Sequence, residues 1–227
     1  MANWNWERKR MDKHSIKAAI FDMDGLMLDT EGVERDTFRR ASTEFGYSVP
    51  DEIYLQVVGR TGKDAQKIFC SALGDAFPFD EIRIRWREYV DQHVTTCGVP
   101  HKAGLLNLLS LMESRSLPKA VATSTRRVRA LRLLGQSNLL SRFDTVVAAD
   151  DISRGKPDPE IFLTAAQRLN VRPEECIVFE DSGPGIRAAH AAGMLAILVP
   201  DLVMPADEVC RLAYRICATL DDARDLL

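Results

Sequence analysis

A chain of 227 residues, 46% hydrophobic and 28% charged, can bury one sizeable core, or one core and a small accessory domain. Its net charge of −3 comes from interspersed acids and bases; with no basic stripe, a nucleic-acid partner is not expected. No apolar run reaches the roughly 18 residues that a helical membrane span requires, so a membrane partner is not expected either.

In chain order, the opening stretch MANWNWERKRMDKHSIK carries charges instead of the continuous apolar segment of a secretory signal. It reads as a tail that packs Trp4 or Trp6 on the body. AAIFDMDGLMLDT, residues 18–30, is a buried strand that stops at two aspartates, Asp22 and Asp24. Two like charges at the end of a buried strand repel each other and lose hydration, so something must compensate them. Residues 32–98 hold amphipathic helical stretches such as EGVERDTFRRASTEFG and DEIRIRWREYVDQHV and few strand patterns. That length exceeds one crossover helix and predicts an inserted helical domain, with CGVPHKAG (97–104) as the hinge back. The expected division is 1–31 for a first core segment, 32–98 for the insertion and 99–227 for the second core segment.

A helix from about Lys102 to Met112 precedes a strand at LPKAVAT (117–123), a helix at RRVRALRLLG closed by Gly135, and a strand at FDTVVAAD (143–150). Next come a helix in DPEIFLTAAQRLN that Pro159 helps to start, a strand at CIVFED (176–181), a helix at GIRAAHAAG and a strand at LAILVP (195–200). Strands alternating with helices predict an α/β fold with a mostly parallel sheet covered on both faces. The basic cluster Arg126, Arg127, Arg129 and Arg132 either decorates one helix or attracts an anion near a site. The cysteines, Cys70, Cys97, Cys176, Cys210 and Cys217, are odd in number and include no CxxC pair. They read as reduced, mostly core-filling thiols of a cytoplasmic protein, not as metal ligands.

Open parallel sheets bind ligands beyond the carboxyl ends of their strands. The residues just past each apolar run are therefore informative: Asp22-Met23-Asp24-Gly25, then Thr123-Ser124, then Lys156 in SRGKPDP, then Glu180-Asp181-Ser182-Gly183. Clustered carboxylates offering oxygen suit a hard divalent cation, most simply Mg²⁺ bridging to a phosphate. Hydroxyls, backbone amides and a lysine grip phosphoryl oxygens, and an ionised aspartate facing phosphorus is placed to attack it.

DMDG, ATST, GKPDP and FEDS, in this order and spacing, resemble the four motifs of the haloacid dehalogenase-like superfamily. The helical segment after the first motif is similar to the cap of its β-phosphoglucomutase and sugar-phosphate phosphatase branch. The resemblance implies a Rossmann-like core with an inserted all-helical cap. It implies that Asp22 is the nucleophile forming an aspartyl-phosphate, and that Asp24 is the general acid and then the base. It further implies that Thr123, Ser124 and Lys156 bind phosphate, and that Asp22, the Asp24 carbonyl and Asp181 hold Mg²⁺ with Glu180 nearby. Glu34, Arg60 and Lys63 become candidate substrate contacts on the cap, Arg60 and Lys63 within VVGRTGKDA. Because Asp24 is present, a halide-displacing dehalogenase is disfavoured.

Each residue also suits a plainer role. Asp24-Gly25 is a turn dipeptide, Thr123-Ser124-Thr125 suits a helix cap before Arg126, Ser182 suits another, and Lys156 suits an exposed loop. His190 reads as structural, and His14, His93 and His101 share no motif. The expected activity is a Mg²⁺-dependent phosphatase of a small phosphorylated metabolite, in a monomer or weak dimer. A β-phosphoglucomutase-like mutase and a non-catalytic metabolite-binding protein are the alternatives. Glu34 stands where the mutases typically carry histidine, and the mutases' cap arginine has no secure counterpart at Gly62.

Overall fold

Four residues that alternate sides feed two cores. On the first strand, β1 (Ala18–Phe21), Ala18 and Ile20 join one buried cluster while Ala19 and Phe21 join another. This is the pattern of a strand covered on both faces, where β-branched and apolar residues run continuously. The structure is a computed structural model that describes residues 16–227, so the expectations for Trp4, Trp6 and His14 lie outside the described residues.

After β1 the chain forms α1 (Thr30–Glu44), α2 (Asp51–Tyr54), α3 (Gly62–Leu73) and α4 (Phe79–Cys97), then α5 (Leu105–Ser114). It continues through β2 (Lys119–Ala122), α6 (Arg127–Gln136), β3 (Thr145–Val147) and α7 (Glu160–Leu169). The remaining elements are β4 (Cys176–Glu180), α8 (Gly183–Ala191), β5 (Leu195–Leu198), α9 (Asp207–Cys210) and β6 (Arg215–Ile216). The strands form one parallel sheet in the order β3-β2-β1-β4-β5-β6. Residues of α5 and α6 join the Phe21 cluster, and residues of α7 and α8 join the Ile20 cluster. This is the α/β, Rossmann-like sheet that the strand–helix alternation predicts. Among the described residues no helix is long and apolar enough to cross a membrane.

Helices α1 to α4 and the loop before α4 carry an aromatic cluster of their own, with Phe38, Tyr54, Phe69, Phe77, Phe79 and Tyr89 buried together. Phe38 and Phe69 stack at 4.8 Å, and the Trp86 ring meets Phe38 edge-on at 5.4 Å. The chain leaves and re-enters the sheet side by side. Leu28 and His101 form an antiparallel bridge, the Asp29 amide donates to the Pro100 carbonyl at 2.9 Å, and the Lys102 amide donates to the Met27 carbonyl at 2.9 Å.

Several local expectations need correction. Gly135 does not close α6. The helix runs on to Gln136, and Asn138 makes the turn at φ +55°, a conformation asparagine tolerates because its side chain is short and polar. FDTVVAAD holds only three strand residues, because a 3-10 turn over Ala149–Asp151 takes over. The helix expected from about Lys102 starts at Leu105, after Gly104 in the left-handed conformation. Of the cysteines, Cys176 and Cys217 are buried, Cys97 is exposed and none is paired.

Candidate active site

The strand order reverses between β1 and β4, where a crevice opens at the carboxyl edge of such a sheet. Asp22 comes directly after β1, and its amide donates to the Phe179 carbonyl of β4 at 3.0 Å, which sets the first aspartate beside Glu180 and Asp181. The loop then doubles back, with Met27 and Leu28 both donating to the Met23 carbonyl. Gly25 turns it at φ +77°, and its amide donates to the Leu28 carbonyl. A Cβ at Gly25 would collide with Asp181 Oδ2, so glycine is required there twice over, by conformation and by space.

Lys156 is not an exposed loop lysine. Its ammonium is buried, bonded to Asp22 Oδ1, to Glu180 Oε1 at 2.6 Å and to the Ala122 carbonyl at 3.1 Å. The second Glu180 oxygen accepts from the Ser182 amide at 2.8 Å and the Ser182 hydroxyl at 2.9 Å. Ser182 also caps α8 by accepting from the Gly185 amide, so its plainer role and its contact with the site coexist. Thr123 and Thr125 both donate to Asp24 Oδ2, at 3.3 Å and 2.8 Å. Thr123 accepts from the Thr125 amide at 3.0 Å, while Arg126 at the head of α6 has no side-chain capping bond. The threonines therefore orient Asp24 instead of capping the helix. Ser124 is exposed beside them.

These contacts leave negative charge in excess, since among the described residues a single lysine, Lys156, is paired with this group of Asp22, Asp24, Glu180 and Asp181. Burial is the main force that raises Asp22 to about 7, Glu180 and Asp24 add to it, and Lys156 opposes it. Asp181 is pushed well above the ordinary carboxylate range by burial, then by Glu180 and Asp22. Burial alone would lower the Lys156 ammonium, but Asp22 and Glu180 more than offset this and hold it above its usual value. Oxygens of Asp22, Glu180 and Asp181 lie within 4.8 Å of one another, an oxygen-only donor set that fits a hard divalent cation. The Asp24 side chain stays outside that group, turned to the threonines.

On the helical side, Glu34 is paired with Arg129 of α6 at 3.5 Å, and its carbonyl accepts from Trp86 Nε1 at 2.9 Å. Burial raises the Glu34 carboxyl; Arg129 opposes this and Asp24 adds to it. Glu31 is raised to about 7 by burial and by Glu34, Asp201, Asp24 and Asp29. Glu31, Glu34, Tyr54, Arg60 and Trp86 line a cavity of about 330 Å³. Lys63 is exposed on the first turn of α3 and is not part of that lining. In the basic cluster, Arg127 is tied to Asp151 and Arg132 to the Thr95 hydroxyl of α4, so these two arginines are structural links. His101 meets the Ser137 carbonyl at 3.0 Å and His190 is exposed. Sequence reasoning misses the bond from Thr125 to Asp24 and the Lys102–Asp201 pair. Only the hydroxyl two residues beyond Thr123 signals the former.

Comparison with known proteins agrees with this geometry. Residues 19–199 match the haloacid dehalogenase-like hydrolase profile. The chain is 34% identical over 179 residues to a phosphorylated carbohydrates phosphatase of Thermotoga maritima, covering 79% of this chain and 82% of that protein. It is 36% identical over 179 residues to a fructose-1-phosphate phosphatase of Escherichia coli, covering 78% and 93%. A crystal structure of a family hydrolase from Deinococcus radiodurans with bound phosphate and sodium superposes with a TM-score of 0.78 at 26% identity, covering 89% of this chain and 90% of that one. The profile begins within β1 and ends just past β5, enclosing Asp22, Asp24, Thr123, Lys156, Glu180 and Asp181: the chain belongs to the haloacid dehalogenase-like hydrolase family.

Proposed function

We propose that the protein is a Mg²⁺-dependent phosphatase that hydrolyses a small phosphorylated metabolite, such as a sugar phosphate, through an aspartyl-phosphate on Asp22. It is a phosphoric monoester hydrolase, in keeping with the phosphatase names of its relatives. The observation that carries this reading is the meeting of Asp22, Asp24, Lys156 and Asp181 at the switch point of the sheet.

Asp22 attacks phosphorus, forming an O–P bond as the ester P–O bond breaks. Asp24 gives its proton to the departing alkoxide, then takes one from the water that attacks the aspartyl-phosphate, releasing inorganic phosphate and regenerating Asp22. Thr125 and Thr123 hold Asp24 in place for both transfers, and Lys156 fixes Asp22 while facing the charge that grows on phosphoryl oxygens. Mg²⁺ would be held by the Asp22 side chain, the Asp24 carbonyl and Asp181, and would supply charge neutralisation at the phosphate. Glu180, with both oxygens on Lys156 and Ser182, supports this set from behind.

We assign residues 32–98 to an inserted cap, flanked by core segments 1–31 and 99–227. The cap closes over the crevice, with Glu34 and Arg60 reaching the substrate from the 330 Å³ cavity. Lys63, outside the lining, acts only through long-range attraction.

The test is Asp22→Asn in a phosphate-release screen over sugar phosphates and nucleoside monophosphates, with and without Mg²⁺. The variant keeps the fold, since Lys156 retains Glu180, and loses turnover by more than about a thousandfold. Full turnover in the variant refutes the nucleophile. Glucose 6-phosphate formed from glucose 1-phosphate would point to a mutase, and tight ligand binding without turnover to a binding protein.

A further inference from the structure

Asp201 lies just past β5, the strand next to β4, and so arrives at the same rim of the sheet. Its side chain is 7% exposed, and its Oδ1 accepts from Lys102 Nζ at 2.5 Å. Its Oδ2 is buried and, among the described residues, has no hydrogen-bond partner. A buried carboxylate oxygen without a donor is costly, and native proteins retain few of them unless a water or an ion fills the gap.

The position of this oxygen identifies what is missing. A Cβ placed on Gly25 would stand 3.1 Å from Asp201 Oδ2 and would collide with Asp181 Oδ2, so both oxygens face the backbone just after Asp24. Among the described residues no donor reaches Oδ2, and Lys102 is already committed to Oδ1 and to Asp29 Oδ1 at 3.6 Å. Asp201 is not among the described residues whose oxygens converge within 4.8 Å, so it stands outside that donor set. Magnesium keeps several of its waters when bound by protein, and those waters need acceptors.

We propose that Asp201, held in place by Lys102, is a positioning residue that accepts a hydrogen bond from water in the hydration shell of the divalent cation. It orients that shell without touching the ion. The proposal rests on the magnesium reading above and adds to it two residues that none of the four motifs contains. Because Lys102 lies on the return linker and Asp29 caps α1, the same pair ties the shell to the crossing points of the helical insertion.

The experiment is Mg²⁺ titration by calorimetry, paired with the Mg²⁺-dependent rise in melting temperature, on full-length wild type, Asp201→Asn, Lys102→Met and Lys102→Arg. In Asp201→Asn the amide carbonyl turns to Lys102, leaving an NH₂ donor against the water donor. Asp201→Asn and Lys102→Met should each bind Mg²⁺ about tenfold or more weakly, with Lys102→Arg recovering most of the loss. A purely structural ion pair would instead lower the melting temperature of the metal-free protein and leave Mg²⁺ affinity alone. Affinity within about twofold of wild type in either folded variant overturns the proposal. A wild type that binds no Mg²⁺ overturns the magnesium reading itself, so the two failures are distinguishable.

Discussion

Replacing Lys156 with methionine removes the cation that, among the described residues, is bonded to both Asp22 and Glu180. The side chains of these three residues are 5%, 10% and 0% exposed, so neither carboxylate can turn to water for relief. Breaking a buried ion pair by deleting one partner costs about 3–5 kcal/mol, because the remaining charge is stranded. For a chain of this size each kcal/mol moves the melting temperature by about 2–4 °C, so the variant should melt roughly 6–20 °C below wild type at pH 8. The deficit should shrink as pH falls toward 5. Without the lysine, Asp22 binds its proton more tightly still, and protonation removes the repulsion. Mg²⁺ at a hundred times the dissociation constant stabilises either form by about 2.7 kcal/mol, and at a fixed concentration should narrow the gap to the extent that the variant, with one cation fewer, binds it more tightly. Scanning calorimetry at pH 8 and pH 5, with and without Mg²⁺, reads all three effects. A melting temperature within about 2 °C of wild type at pH 8 would refute the reasoning, since it would mean that the carboxylates are hydrated and the crevice is open to solvent.

The same geometry sets three further outcomes. Glu31 holds its proton up to about pH 7 in the folded chain against an ordinary value of 4.5, so its contribution to stability falls as pH rises between these values. Glu31→Gln should therefore be more stable than wild type by about 1–3 kcal/mol in urea denaturation at pH 8, and equal to it near pH 4. Thr125→Val removes the shorter of the two bonds that orient Asp24, and should lower kcat by about 10- to 100-fold in steady-state kinetics while KM stays near its original value. Gly25→Ala forces a side chain into a left-handed turn, worth about 1–2 kcal/mol, and into Asp181. It should weaken both urea resistance and Mg²⁺ binding, and unchanged metal affinity would show that Asp181 can move aside.

The site is legible where chemistry sits at the end of an apolar run. Asp22, Thr123, Lys156 and Asp181 each lie past a strand or in its loop, and a parallel sheet brings such ends to one edge. The contacts that escape a reading of the sequence have no local signature. The bond from Thr125 to Asp24 joins residues 101 positions apart, and that from Lys102 to Asp201 joins residues 99 apart. β6 is two residues long, one of them charged, so no alternation marks it. Its pairing is imposed by β5, which offers a free edge. α2 is a four-residue turn after a proline, too short for helical periodicity, and α3 begins at a glycine, a residue that sequence reasoning reads as a break. Gly135 misleads for the same reason: glycine weakens a helix interior without being forbidden there.

The paired crossings at Leu28 and His101 have a wider consequence. A segment whose two ends stand side by side on its host is joined to it like a book to its spine. Its removal would leave a gap that a short turn could bridge, and a replacement would need only two neighbouring ends. The sheet, with its phosphate chemistry, and the aromatic helical module can thus diversify separately. On the cap assignment proposed above, exchanging modules between relatives redirects which metabolite is recognised while the bond-breaking apparatus stays as it is.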